Sequence, residues 1–81
     1  MKRIETAGIG TMFVSEFSMD ADAICFFDEN QELLGEADIS IIFDTAEEMG
    51  ISEKAAYNRL IKAIRECATS MEFEMITCIS L

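Results

Sequence analysis

The chain has no histidine, no proline and only three cysteines among its 81 residues. Without histidine it lacks the commonest general base and the commonest metal ligand. Cys25, Cys67 and Cys78 are odd in number, far apart and never in a CxxC pair. That argues against both a disulfide scaffold and a zinc site, and favours free buried thiols in a reducing compartment. No serine or cysteine has a recognisable triad partner, and no GxxxxGK[ST] loop is present. Gly8-Ile9-Gly10 reads as a turn. So short a chain also offers little depth for a pocket, so the sequence points away from an enzyme and from any cofactor.

Basic residues are scarce as well. Six Lys and Arg face sixteen Asp and Glu, for a net charge of -10. Such a balance excludes a simple nucleic-acid coat and an anionic membrane surface, and it favours a basic partner. No apolar run reaches membrane-spanning length. Met1-Lys2-Arg3-Ile4-Glu5 opens like a signal peptide, but Glu5, Gly8 and Gly10 interrupt it. A cytoplasmic location is expected.

What the chain does have is apolar mass. Hydrophobic residues make up 51% of it, including six Phe and six Met, a globular composition whose surplus suits a homodimer. Residues 11–18 (TMFVSEFS) are rich in β-formers and predict a strand. Ser18 to Asp22 predicts a turn, Ala23 to Phe27 a short strand or a turn of helix, and Asp28 to Gln31 a second turn. From Glu32 to Phe43 the alternation is clear: Leu33, Gly35, Ala37, Ile39, Ile41 and Phe43 share one face, with Glu32, Glu36 and Asp38 on the other. Asp44 or Thr45, with Thr45-x-x-Glu48 at capping-box spacing, predicts a short helix ending at Gly50. Ser52 caps a longer one from about Glu53 to Ala68, whose stripe is Ala56, Leu60, Ala63, Ile64 and Cys67, bordered by Tyr57 and Ile61. Phe73 to Leu81 alternates again and predicts a last strand. The expected order is β-β-β-α-α-β over one domain, residues 1–81. It describes an α+β fold, an antiparallel sheet of about four strands with a helix pair packed on one face.

Four of the six cations, Lys54, Arg59, Lys62 and Arg65, lie within twelve positions of the second helix. Asp44 to Arg65 reads DTAEEMGISEKAAYNRLIKAIR. This segment resembles the helix-turn-helix of sigma-factor region 4 and related bacterial regulators, over residues 44–65 only. Ala46 stands where the first helix needs a small residue, Gly50 takes the turn, Ile51 plugs the core and Ser52 caps the recognition helix. The resemblance implies that Lys54, Ala55, Tyr57, Asn58, Arg59 and Lys62 face a groove or its phosphates. Spacing alone puts Lys54, Asn58, Lys62 and Arg65 on one helix face. Acids in the first turn and bases in the last also fit ordinary helix-dipole logic.

The acids offer a different surface. Glu32, Glu36 and Asp38 are expected opposite the core, joined by Glu16, Glu72 and Glu74, with Asp20, Asp22, Asp28 and Glu29 at the loop ends. Carboxylates repeating about every 7 Å along a strand face would imitate a phosphate track. In size and charge the chain resembles small acidic anti-defence proteins of phages, including anti-CRISPR inhibitors and DNA mimics, a likeness of composition alone. Asp28-x-Asn30-x-Glu32 opens like a calcium loop, but Leu33 and Ile39 stand at its sixth and twelfth positions, which argues against the ion. The sequence therefore favours a non-enzymatic inhibitor that meets the basic surface of a nucleic-acid-handling protein. Phe13, Phe17, Phe26 and Tyr57 are candidate anchors there or in a homodimer. The alternative is a helix-turn-helix regulator that dimerises through its β portion and touches DNA through Lys54, Asn58, Arg59, Lys62 and Arg65; direct DNA binding is the less favoured of the two.

Overall fold

Short alternating segments build the first half of the chain. In the computed structural model, which describes residues 1–77, four strands pair in sequence order as one antiparallel sheet. They are β1 (Lys2–Glu5), β2 (Thr11–Val14), β3 (Ala23–Phe27) and β4 (Leu33–Asp38). Three helices follow: α1 (Ile39–Met49), α2 (Glu53–Arg65) and α3 (Ser70–Thr77). The α+β class and the four-stranded antiparallel sheet are as expected.

Alternation sorts the strands into two faces. Ile4, Met12, Val14, Ile24, Phe26 and Ala37 point to one side, and all are buried. Against them pack Ile42 and Ala46 of α1, Ala56, Tyr57, Leu60, Ile61 and Ile64 of α2, and Phe73 of α3. All three helices cover the same face, which among the described residues leaves the opposite one open.

The order of elements departs from β-β-β-α-α-β in three places. A strand precedes the first one expected, because Lys2–Glu5 pairs with Thr11–Val14 around a turn in which Gly10 takes a φ of 100°. Next, the strand expected to reach Phe43 stops at Asp38. That carboxylate accepts from the Ser40 amide at 2.9 Å and caps α1, well ahead of the cap expected at Asp44 or Thr45. Ile39, Ile42, Phe43 and Ala46 also fall at helical spacing, so this apolar run satisfies both periods. Thr45-x-x-Glu48 then lies inside the helix.

The last correction is the strand expected from Phe73, where the chain instead forms α3. Thr69 Oγ1 accepts from the Glu72 amide at 3.2 Å, and the Glu72 carboxylate accepts from the Ala68 amide at 2.8 Å. Two otherwise orphaned donors are satisfied reciprocally at the helix start. The remainder of that expected strand, residues 78–81, lies outside the described residues. The helix seats on β4 at Gly35, where a β-carbon would stand 3.0 Å from the Phe73 ring. Phe73 then meets Phe26 edge-on, with ring centroids 5.4 Å apart.

The helix pair of residues 44–65 forms as the sequence implied at its turn. Gly50 ends α1 with φ 65°, its amide donating to the Ala46 carbonyl, and Ser52 Oγ accepts from the Ala55 amide at 3.1 Å. Ala46 is buried and Ile51 packs against the core. The buried stripe of α2 is shifted slightly: Tyr57 and Ile61 are inside it, and Ala63 is exposed.

Candidate functional site

Among the described residues, the helices leave one face of the sheet uncovered. Register brings Arg3, Phe13, Phe27 and Leu33 into one row across all four strands. Phe13 and Phe27 are direct cross-strand partners on the two central strands, half-buried and outside the core cluster. Leu33 is 55% exposed. Rows on either side pair Glu5 with Thr11, Cys25 with Glu36, and Ala23 with Asp38. The face therefore has an apolar centre and charged margins.

The acids do not form the single row expected. Glu36 stands on the open face, its Oε2 3.8 Å from Cys25 Sγ, and Asp38 at that face's corner is engaged as the α1 cap. Asp28, Glu29 and Glu32 sit in the β3–β4 hairpin tip, where Asp28 Oδ1 accepts from the amides of Asn30 and Glu32 at 2.8 and 2.9 Å. The calcium-like spacing is thus used to close a turn, with Gln31 at φ 66°. Glu16, Asp20 and Asp22 lie at the opposite end of the sheet, in the connection from β2 to β3. Glu72 and Glu74, expected on the strand face, are on α3 and belong to the helical side. A rim of carboxylates at both ends of an aromatic centre replaces the phosphate-like track, because the hairpin turns gather acids at their tips.

The expected anchors are also redistributed. Phe26 is wholly buried and Tyr57 is 5% exposed, so both are core residues. Phe17 is half-buried and tilts against the Tyr57 ring at a centroid distance of 5.9 Å. Of the expected four, Phe13 alone is on the open face; its partner Phe27 was missed, although AICFF already alternates. Tyr57 cannot face a DNA groove, since its hydroxyl donates to the Ser15 carbonyl at 2.9 Å.

On the helical side, Lys54, Asn58, Arg59, Lys62 and Arg65 are all exposed. Among the described residues the one ion pair is Arg3 with Glu5 at 3.0 Å, so the α2 cations have no carboxylate within pairing distance there. Ala55, Asn58, Arg59 and Lys62 border a shallow depression. Asp44, Glu47 and Glu48 border another on α1. Bases and acids are thus separated by helix within the pair.

Electrostatics hold both described thiols in their protonated form. Burial, and then the neighbouring Glu36 charge, push the Cys25 thiol up. Burial, and then Glu72, do the same for Cys67. Neither environment makes a nucleophile at neutral pH. Among the described residues no group of three or more His, Cys, Asp and Glu converges as a metal site. No helix there is long and apolar enough to cross a membrane.

Set against known proteins, the chain matches no family model, no curated protein and no solved structure.

Proposed function

We propose that the protein is a non-enzymatic inhibitor that docks its open sheet face on the basic surface of a nucleic-acid-handling protein, as an anti-defence protein of the anti-CRISPR kind would. The observation that carries this reading is the Phe13–Phe27 pair, half-buried on the two central strands, with Glu5 and Glu36 on the same face, Asp28, Glu29 and Glu32 at the adjoining hairpin tip, and Asp20 and Asp22 at the far end of the sheet. An aromatic centre within a charged rim is the anatomy of a protein–protein hot spot. Four strands at ~4.8 Å spacing and about five residues at ~3.3 Å each give a platform of roughly 300 Å². That is less than half of the ~800 Å² per partner in a standard interface. The acidic loops at both ends supply the remainder, and they steer a basic partner into place. Inhibition then works by covering a basic groove rather than by imitating a duplex.

The test is capture of a partner from nuclease-treated bacterial lysate by wild type, Phe27→Glu, Glu36→Lys and Lys62→Glu. Wild type and Lys62→Glu should retain the same protein, with retention falling as salt rises. The two open-face variants should lose it. Equal capture by all four sinks the reading.

A second reading, a helix-turn-helix regulator that dimerises through its β portion, has one specific observation in its favour. The turn at Gly50, the cap at Ser52 and the exposed bases of α2, unpaired among the described residues, fall where such a unit needs them. Against it stand Asp44, Glu47 and Glu48, which border a depression on the preceding helix. It requires duplex binding at low salt that Lys62→Glu abolishes.

A further inference from the structure

A cavity of about 310 Å³ opens between β1, the segment after β2 and the first two turns of α2. It is independent of the open sheet face. Its lining is Lys2, Glu16, Phe17, Lys54, Tyr57 and Asn58. In a chain with six cations, two of them, from β1 and α2, line this one cavity. Neither has a carboxylate within ion-pair distance among the described residues. Lys2 is on a strand edge and Lys54 on a helix, so no common element forces the two charges together.

The wall beside them is aromatic and fixed. Tyr57 is held at its hydroxyl by the Ser15 carbonyl, and Phe17 leans on its ring. Phe17 remains half-buried and so keeps part of its ring free. A planar ring stacks on such a wall, typically for about 1–3 kcal/mol. Asn58 offers an amide that donates and accepts, the chemistry that reads a purine edge. Glu16 accepts from hydroxyls or an exocyclic amine. The volume is at the lower end of the ~300–1,000 Å³ of small-molecule sites. We infer that this cavity binds a nucleoside monophosphate, with the phosphate between Lys2 and Lys54 and the base against Phe17.

The surroundings favour a single phosphate over a strand. Glu16 and Glu53 stand at or next to the lining residues in sequence, and Asp20 and Asp22 follow in the same β2–β3 connection. These carboxylates repel the flanking phosphates that an oligonucleotide must bring. A free mononucleotide brings none.

Titration of the ¹⁵N-labelled protein with adenosine monophosphate at low salt tests the assignment. Saturable one-to-one shifts are expected at the amides of Phe17, Lys54 and Asn58. Lys54→Glu and Phe17→Ala should each weaken binding about tenfold or more, equivalent to ~1.4 kcal/mol. Lys2→Glu serves as the third variant in case Phe17→Ala disturbs packing. Lys62→Glu and Glu36→Lys, both outside the cavity, should bind like wild type. Absence of saturable shifts at millimolar nucleotide overturns the site. Equal affinity for inorganic phosphate overturns the role of the aromatic wall, and tighter binding of a short single-stranded oligonucleotide overturns the choice of a free nucleotide.

Discussion

The Tyr57 hydroxyl donates to the Ser15 carbonyl at 2.9 Å, joining α2 to the end of β2 across 42 residues of chain. Ser15 is itself tied to β3, its amide donating to the Cys25 carbonyl and its Oγ accepting from the Cys25 amide. One phenol thus locks helix to sheet at the point where pairing of β2 and β3 ends. Tyr57→Phe should cost about 1 kcal/mol, the net worth of one hydrogen bond with a partly buried carbonyl left unpaired. Burial first, and then the Glu16 charge, hold the Tyr57 phenol above its ordinary value. A raised folded-state value means stability is complete below the unfolded-state value, about 10, and lost as pH rises through the folded one. Denaturant melts of wild type should therefore weaken above about pH 10, and Tyr57→Phe should flatten that decline.

Gly8 makes a second clasp between the two layers. The amides of Ala7 and Gly8 donate to the carbonyls of Arg65 and Cys67 at 2.9 and 3.1 Å, covering the C-terminal end of α2. A β-carbon at Gly8 would stand 2.0 Å from the Ala68 carbonyl oxygen, a backbone atom that no rotamer change can move aside. Gly8→Ala should cost about 1–3 kcal/mol as overpacking, read as a lower urea midpoint at unchanged slope. The same substitution should raise amide exchange first in the last turn of α2, where the covering loop has been pushed away.

These particulars show which features the sequence displays and which it hides. Turn chemistry was legible: Gly50 and Ser52 act where their types predict, because few residues adopt positive φ or cap a helix well. The half-buried strand β3 was legible only as a short apolar run. Ile39 to Phe43 was not, since a run of apolar residues fits either period and the cap at Asp38 decides between them. Phe73 to Thr77 alternates in sequence, yet the Thr69-x-x-Glu72 box and the close seat at Gly35 select the helix. Tertiary contact overrode local pattern there. The acidic residues were counted correctly but misplaced, because composition carries no register. Phe27 escaped notice for the same reason: its value comes from the partner that register gives it, Phe13.

The two helix caps should behave differently with pH. Hydrogen bonding from Ser40 holds the Asp38 carboxyl below its ordinary value. A depressed folded-state value means its stabilisation is present above the unfolded value, near 3.9, and lost as pH falls through the folded one. Ser52 has no such titration. At neutral pH Ser52→Ala should cost about 1 kcal/mol. Asp38→Ala should also lower the melting temperature, and the gap between it and wild type should narrow as pH drops below about 4. The gap for Ser52→Ala should stay constant over the same range. A parallel response of both variants would place the stabilisation at Asp38 outside its charge.

On the open face, Cys25 reports whether that surface is free. Its thiol is half-exposed, whereas Cys67 is buried and bonds to the Ala63 carbonyl at 3.4 Å. A disulfide-exchange reagent at pH 8 should therefore modify Cys25 well before Cys67. Glu36 accounts for two of the three influences that raise the Cys25 value, through its charge and its hydrogen bond. Glu36→Gln removes the charge, so the value falls, the thiolate fraction at pH 8 rises, and modification should accelerate severalfold. Cys67 should be unaffected, because the second influence on it is Glu72, on a different element. Once a protein partner is in hand, its addition should protect Cys25 in the wild-type chain but leave Phe27→Glu unprotected. Protection that survives Phe27→Glu would mean the partner reaches Cys25 without resting on the Phe13–Phe27 pair, and the aromatic centre would lose its role.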